Sequence, residues 1–438
     1  MCKYRKKKVE NKVKLSIFAF EMKYNTYTLD NGLRIIHLFS ASPVIYCGYE
    51  INAGTRDEMP GEEGLAHFCE HVTFKGTDHR KPYQVLNYLE SVGGNLNAFT
   101  NKEDTVFYAA ILKDHVERAV DLLSDMVFHS VFPQNEIDKE VEVICDEIES
   151  YNDSPADLIY DDFENIIFRG HPLGRNILGT AEKVRSYKTE DALRFTRKHY
   201  IPMNSVFFAY GDIDFERLVR LVKKYTLNIP DNIESRTSED QRLDSAFPVS
   251  FHSDWKGKTF VVNKDTHQAH VMIGNLAYGI HDEKRMALYL LNNILGGPGM
   301  SARLNLSLRE HYGLVYAVES SMVSYGETGM WCTYFGCDPD DVERCRGLVH
   351  KELDGMAKNI LSELQLNKAK KQIKGQIGVA CDNRENFALD FGKSFLHYGW
   401  EKDITSLYAH IDAVTPEMVQ QVAKEIFDRN SLVTLIYK

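Results

Sequence analysis

The chain has 438 residues, of which 43% are hydrophobic and 26% charged, and its formal net charge is -11. This length predicts two or three domains, and no apolar run approaches the roughly 18 residues that a membrane-spanning helix needs. The negative charge argues against nucleic acid or an anionic membrane as the main partner and weakly favours basic or neutral ligands.

The first 21 residues begin with a basic stretch and contain an apolar patch, Leu15 to Phe20, that is too short for a secretory signal. We predict that residues 1–21 are a disordered extension. From Met22 onward an alternating pattern predicts a strand, Asn31-Gly32 predicts a turn, and a second strand follows.

The predicted elements of the first half are a strand, a hairpin, a strand, a loop, two helices and a strand, which end near residue 112. Two longer helices are predicted next, at about 114–129 and 134–152, and a buried strand at 204–213. Residues 229–246 are polar and aperiodic, which indicates an exposed linker.

After the linker the order of predicted elements starts again. It runs through a strand at 269–279 and a helix near Asp282 to long helices at about 339–357 and 362–380, and a closing strand lies at 432–437. The fold class is therefore predicted as α+β, with two homologous domains, each a mainly antiparallel β-sheet packed with helices. We place these domains at 22–228 and 247–438.

The eight cysteines include no CxxC pair, which argues against a disulfide framework and favours a reducing compartment, so we expect a cytoplasmic protein. Cys332 and Cys337 are five residues apart on a predicted strand. Their side chains therefore point to opposite faces and are not expected to share a metal ion.

The run EGLAHFCEHVTFK, residues 63–75, predicts a helix with a possible metal site. His67 and His71 lie one helical turn apart, about 40° around the axis, so both imidazoles can converge on one ion, and Glu70 lies on the same face. The apolar residues of the other face are expected to pack inward: Leu65, Phe68 and Val72.

A catalytic zinc site takes three protein ligands and leaves a position for water, so one more ligand is needed. The predicted helix 134–152 offers Glu140 and Glu147, seven residues apart on one face, and their spacing does not choose between them. A structural zinc site is the alternative, but it would need another Cys or His. Cys69 points about 200° away from His67 around the helix and does not meet that need.

Six segments resemble, in order, the family of mitochondrial processing peptidase, pitrilysin and insulin-degrading enzyme. They are HFCEHVTFKGT (67–77), GGNLNAFT (93–100), KEVEVICDEIESYNDSP (139–155), HPLGRNILGT (171–180), HYIPMNSVFFAYGDID (199–214) and GGPGMSARLNLSLREHYGLVYAV (296–318). HxxEH is also the inverted signature of the inverzincins. The chain length resembles the short-chain branch of the family, whose subunits pair.

The resemblance implies a zinc-dependent endopeptidase or oligopeptidase that hydrolyses unfolded peptides inside a closed chamber, with one Zn²⁺ per chain. It assigns the metal to His67, His71 and Glu147, the general base to Glu70, and a role in supporting the site from behind to Glu140. The competing class is a non-catalytic interaction subunit of the same fold, which would have lost the metal residues. All of them are present here.

The resemblance also implies two further sets of residues. Arg309 and Tyr316 match a pair that stabilises the negative oxygen of the tetrahedral intermediate, acting on the zinc of the opposite subunit. A peptide-binding edge strand is matched by Asn97, Ala98, Phe99 and Thr100. We expect a homodimer, or a heterodimer with an inactive homologue. The stretch Gly296 to Gly299 lacks the Lys-Ser/Thr of a phosphate loop and is expected to face the substrate chamber.

Overall fold

The computed structural model describes residues 22–227, 229, 254–264 and 266–438. The predicted extension, and all but residue 229 of the predicted linker, lie outside these ranges. The extents proposed for the two domains therefore stay predictions. Within the described ranges no helix is both long and apolar enough to cross a membrane.

The first half contains six strands and eight helices among the described residues. The strands are β1 (Tyr24–Thr28), β2 (Arg34–Phe39), β3 (Val44–Ile51), β4 (Asn95–Thr100), β5 (Thr105–Leu112) and β6 (Ser205–Gly211). The helices are α1 (Leu65–Thr73), α2 (Pro82–Glu90), α3 (Val116–His129), α4 (Gln134–Asn152), α5 (Pro155–Ile167), α6 (Ala181–Val184), α7 (Thr189–His199) and α8 (Phe215–Thr226). The predicted hairpin, the helices at 114–129 and 134–152 and the strand at 204–213 are confirmed to within two residues.

The described part of the second half contains five strands and six helices. The strands are β7 (Thr259–Val262), β8 (Ala269–Ala277), β9 (Val315–Ser324), β10 (Gly329–Cys337) and β11 (Val433–Tyr437). The helices are α9 (Arg285–Gly296), α10 (Val342–Lys358), α11 (Glu363–Ala380), α12 (Arg384–Tyr398), α13 (Ile404–Ala413) and α14 (Pro416–Ile426), and a π-helical segment covers Asn305–His311. The helix predicted near Asp282 begins at Arg285, because the Asp282 carboxylate accepts a hydrogen bond from the Lys284 amide and forms a turn first.

Apart from the additional strand β1, the two sheets share one strand order, which confirms the duplication predicted from the sequence. The first sheet runs β1-β2-β6-β3-β5-β4 and the second β7-β11-β8-β10-β9. In both sheets the last strand of the half makes one parallel pair, β6 with β2 and β11 with β7, while every other pair is antiparallel. The sheets are thus mainly antiparallel, with one parallel pair each.

Each half sends one helix onto the sheet of the other half. Helix α5 of the first half packs on β8, β10 and β11, where Phe163 is buried in one cluster with Met272 and Leu435. Helix α12 of the second half packs on β3 and β6, where Phe391 is buried among Tyr24, Phe208 and other residues. The remaining face of each sheet is covered by helices of its own half. Both sheets are therefore buried on two faces, and one layer of each comes from the other half.

The faces of β10 illustrate this layering. Cys332 belongs to the cluster beneath α5, whereas Cys337 belongs to the cluster on the other side of the same sheet. The prediction that these two thiols lie on opposite faces is confirmed. All seven cysteines of the described ranges are free thiols.

We expect the substitution Phe391→Ala to lower the free energy of unfolding by about 3–5 kcal/mol, because the ring is fully buried between the halves and its removal leaves a cavity. Denaturant unfolding would measure the change. Leu364→Ala on α11 is the matched control, because this side chain is 67% exposed and its loss should stay within about 0.5 kcal/mol. Equal shifts for the two variants would contradict the exchange of helices as a source of stability.

Candidate metal centre

Helix α1 presents two imidazoles on one side and its apolar residues on the other. His67 and His71 are one turn apart, and their ring centroids are 4.6 Å from each other. On the opposite side of the helix Leu65, Phe68 and Val72 are fully buried in the core of the first half, as predicted. Cys69 is also buried in that core, so its thiol stays apart from the imidazoles, as expected.

The start of α1 is set by two residues of the preceding loop. Gly64 has φ +85°, and a Cβ at this position would lie 2.7 Å from the carbonyl oxygen of Leu178, so only glycine fits. The buried carboxyl group of Glu58 accepts a hydrogen bond of 3.0 Å from the Ala66 amide in the first turn. Such an acceptor satisfies one of the free N–H groups at a helix start. The loop therefore fixes the residue at which α1 begins, and with it the position of His67 on the helix.

Helix α4 brings a carboxylate to these imidazoles. Glu147 Oε2 lies 3.2 Å from His71 Nε2 and 3.8 Å from His67 Nε2. The donor atoms of His67, His71 and Glu147 all lie within 4.8 Å of one another, and no other such group of His, Cys, Asp and Glu occurs among the described residues. The spacing of the glutamates left the choice of the third ligand open, and the geometry favours Glu147.

The other candidate, Glu140, lies behind the cluster. Its Oε1 is 3.0 Å from His71 Nδ1, and its Oε2 is 2.5 Å from Lys75 Nζ. A carboxylate on Nδ1 fixes the orientation of the ring and leaves Nε2 free for a metal. Sequence analysis missed Lys75, which lies four residues after His71 and just beyond the end of α1.

Glu70 is buried beside the two imidazoles and is held by β4. Its Oε2 accepts a hydrogen bond of 2.7 Å from the hydroxyl of Thr100, the last residue of that strand. Burial raises the pKa of the Glu70 carboxyl, and the Thr100 hydrogen bond and the neighbouring His71 only partly oppose the shift. A carboxyl group with a raised pKa both takes and returns a proton more readily near neutral pH. Sequence analysis named Thr100 only as part of the strand.

The two imidazoles differ in their affinity for a proton. Burial, together with the nearby His71, lowers the pKa of His67 to about 4. Burial also opposes a charge on His71, but the hydrogen bonds to Glu140 and Glu147 outweigh it and raise its pKa to about 9. A metal that binds His71 must displace this proton.

The donor set fits zinc. Two imidazole nitrogens and one carboxylate oxygen, with a position left for water, are the usual ligands of catalytic zinc. Bonds of about 2.0–2.2 Å in a tetrahedron place donor atoms about 3.4 Å apart, close to the 3.2 and 3.8 Å observed between Glu147 and the two imidazoles. No fourth Cys or His joins the cluster within the described ranges, so the structural-zinc alternative finds no support.

Strand β4 lies at the edge of the first sheet, next to α1. Among the strands that the structure describes, it pairs only with β5, so one side of its main chain has no partner there. The sequence-predicted substrate residues Asn97, Ala98, Phe99 and Thr100 all lie on it. An unpaired edge of this kind can accept an extended peptide as an additional strand.

Arg309 and Tyr316 lie close together in the second half. The Arg309 guanidinium lies 5.7 Å from the centroid of the Tyr316 ring, and the Tyr316 side chain is 83% exposed. Both line a cavity of about 1070 Å³ that also includes the glycine stretch Gly296 to Gly299. None of the metal-cluster residues lines this cavity.

Comparisons with known proteins agree with this geometry. Residues 40–181 match the model of the family described as "Insulinase (Peptidase family M16)", and residues 186–373 match "Peptidase M16 inactive domain". The chain is 32% identical to an uncharacterized zinc protease of Streptomyces coelicolor, covering 93% of this chain and 88% of the relative. It is 30% identical to the uncharacterized zinc protease YmxG of Bacillus subtilis, over 94% of this chain and 97% of that protein.

Solved structures share the fold. A protease from Helicobacter pylori superposes with a TM-score of 0.86 at 21% identity, covering 95% of this chain and all of the other. A Pseudomonas fluorescens protein described as a peptidase M16 inactive domain gives a TM-score of 0.83 at 17% identity and covers 95% of this chain and 98% of the other. The two-sheet architecture is therefore one already seen in crystals.

We expect Glu140→Gln to weaken zinc binding about 10- to 100-fold, because His71 loses the carboxylate that orients its ring. Competition with a chelating dye would measure the affinity. Glu142→Gln on the same helix is the control, because the Glu142 carboxylate pairs with Arg185 at the surface, 3.1 Å away. An unchanged zinc affinity in Glu140→Gln would contradict the orienting contact.

Proposed function

This chain belongs to the insulinase family of peptidases, family M16, and on that premise we propose that it is a zinc-dependent endopeptidase acting on unfolded peptides. The observation that carries the proposal is the cluster of His67, His71 and Glu147 with the Glu70 carboxyl beside it. When bound there, zinc supplies Lewis acidity towards a peptide carbonyl and makes water nucleophilic near neutral pH.

Glu70 is the proton carrier of the proposed reaction. One of its oxygens is held by Thr100, which leaves the other to accept a proton from the attacking water. The same carboxyl group returns the proton to the nitrogen of the leaving amine. Its raised pKa favours both transfers, because the protonated and ionised forms then lie closer in free energy at neutral pH.

Strand β4 is the proposed binding site of the substrate peptide. A substrate that pairs with its free edge makes main-chain hydrogen bonds, which every sequence offers, so selectivity for particular side chains is low. Such pairing requires an extended segment without a fold of its own. A peptide bound to β4 would also lie close to the proposed general base, because Thr100 on β4 contacts Glu70 directly.

Arg309 and Tyr316 are proposed to complete the site from a second copy of the chain. They lie together on the second half and line a cavity that contains none of the metal-cluster residues. A guanidinium and a phenol are suitable donors for an oxyanion that develops in the transition state. A homodimer in which each second half covers the other metal cluster would place these donors at both reaction centres.

We expect Glu70→Gln to lower kcat for a mixed unfolded-peptide substrate at least about 100-fold, because the amide cannot accept the proton. The variant should still bind zinc, since Glu70 is not among the three clustered donors. Glu149→Gln, an exposed carboxylate on α4, is the control and should keep wild-type activity. Mass spectrometry of peptide fragments, with and without chelator, is the measurement. Wild-type cleavage by Glu70→Gln would remove the peptidase assignment.

A dimer isolated through two different affinity tags tests the shared site. One subunit carries Glu70→Gln and the other Arg309→Met, and each homodimeric variant alone should be inactive. If the donors act on the opposite subunit, one of the two sites in the mixed dimer is intact, and about half of the wild-type activity returns. If each site is built within one chain, the mixed dimer has no intact site and remains inactive.

A further inference from the structure

The turn that closes the hairpin of β4 and β5 consists of Asn101, Lys102, Glu103 and Asp104. The Asn101 amide donates to the Asp104 carbonyl oxygen at 2.7 Å, and Asn101 Nδ2 donates to Asp104 Oδ1 at 2.6 Å. Asp104 is fully buried. The buried Asp104 carboxylate therefore stabilises the turn. This turn directly follows β4, which ends with Thr100.

Two residues from the other half contact this carboxylate. Lys393 Nζ lies 2.7 Å and His397 Nε2 lies 3.1 Å from Asp104 Oδ2, and both residues are on α12, the helix that crosses onto the first sheet. Burial opposes the charge on Asp104, but the His397 hydrogen bond and the Lys393 charge outweigh it, so the pKa of Asp104 lies far below its usual value. Asp104 is thus charged inside the molecule.

A second buried carboxyl group shows how specific this arrangement is. Glu50 on β3 is buried next to the same helix, and neither of its oxygens has a hydrogen-bond partner. Burial and the negative charge of Asp104 raise the pKa of Glu50 well above its usual value, and the charge of Lys393 opposes this shift. Lys393 Nζ is 2.7 Å from Asp104, so Asp104 has the direct contact that the Glu50 oxygens lack.

The turn is connected to Glu70 in two ways. Thr100 immediately precedes it, and the Thr100 hydroxyl donates to Glu70 Oε2 at 2.7 Å. The turn also accepts main-chain hydrogen bonds from the loop that leads to α1, from the Thr55 amide to Asn101 at 3.2 Å and from the Arg56 amide to Lys102 at 2.9 Å. A shift of the turn would therefore move both the Glu70 partner and the loop in front of the metal-binding helix.

Two charged side chains of the same turn are linked to the second half, each through one intermediate residue of the first half. Lys102 Nζ lies 3.4 Å from Glu164, whose carboxylate accepts a hydrogen bond from Tyr325. Glu103 pairs with Arg56, which also binds Glu327 at 2.7 Å. Tyr325 and Glu327 lie in the turn between β9 and β10, the counterpart of the β4–β5 turn in the second sheet. The tips of the two edge hairpins are thus joined by charged side chains.

We propose that Asp104, Lys393 and His397 are positioning residues for peptide hydrolysis, which hold the β4–β5 turn so that Thr100 keeps Glu70 in place. The inference rests on the proposed function. It makes the reaction centre of the first half dependent on a helix of the second half, nearly three hundred residues later in the chain. None of the three touches substrate or metal; they act through the turn.

The test compares purified full-length variants by steady-state peptide hydrolysis, zinc content and amide hydrogen exchange of residues 95–112. Lys393→Met leaves the buried Asp104 carboxylate short of its cation. We expect kcat to fall about 10- to 100-fold, as for a displacement of about 1 Å in a reacting group, while bound zinc is unchanged and exchange in 95–112 is faster. Lys393→Arg, which restores the cation, should recover kcat to within about threefold of the wild type.

Lys374→Met on α11 is the matched control, because Lys374 pairs with Asp412 at a similar 2.8 Å, and its helix packs on α9 and α13 of the second half. It should keep wild-type kcat. If Lys393→Met does not fold, His397→Leu is used in its place, since leucine cannot donate a hydrogen bond to Asp104 and the lysine charge is kept. The change is expected in the same direction.

The outcomes separate the two proposals. Wild-type protein that is loaded with zinc and cleaves no peptide overturns the proposed function. An active wild type together with wild-type kcat in Lys393→Met or its replacement overturns the positioning role alone. A fall in kcat matched by an equal loss of zinc also overturns it, because the whole metal-binding half would then be disturbed. A fall in kcat with zinc retained and rescue by Lys393→Arg supports it.

Discussion

The packing of α1 against α4 is the contact on which the metal cluster depends. Each helix is amphipathic, and the same interface that buries their apolar residues in one core brings the imidazoles of α1 opposite Glu147 of α4. Two imidazoles and a carboxylate directed at one point are electrostatically unfavourable to assemble without ligand or proton between them. The hydrophobic core of the first half, together with Gly64 and Glu58 at the helix start, provides the rigidity that keeps them there.

The duplicated topology gives the two halves the same strands and different chemistry. In the first half the helix after β3 carries the metal donors, and the edge strand β4 supplies Thr100 to Glu70. In the second half the helix after β8 carries Asn292, whose side chain accepts a hydrogen bond from Ser320 on the edge strand β9. A neutral amide cannot replace a carboxylate as metal ligand and base. The same scaffold thus holds the cluster of His67, His71 and Glu147 in one half and a cavity lined by Arg309 and Tyr316 in the other.

Much of this arrangement was predictable from local sequence. The spacing of His67 and His71, the apolar face of α1 and the repeated order of elements led to the donor pair, the helix and the duplication, because they depend on periods of 3.6 and 2 residues. The selection of Glu147 over Glu140 depends on how two helices pack, which spacing does not encode. The contacts of Asp104 with Lys393 and His397 were not predictable either, because they join residues far apart in the chain that share no local pattern.

The crossing of α5 and α12 makes the two halves mutually dependent for their solubility. Each sheet, taken without the other half, exposes a continuous apolar surface that includes Phe208 in one case and Leu435 in the other. Large exposed surfaces of this kind promote aggregation. A polypeptide severed between the halves would therefore expose both apolar surfaces unless the two fragments associate and cover them.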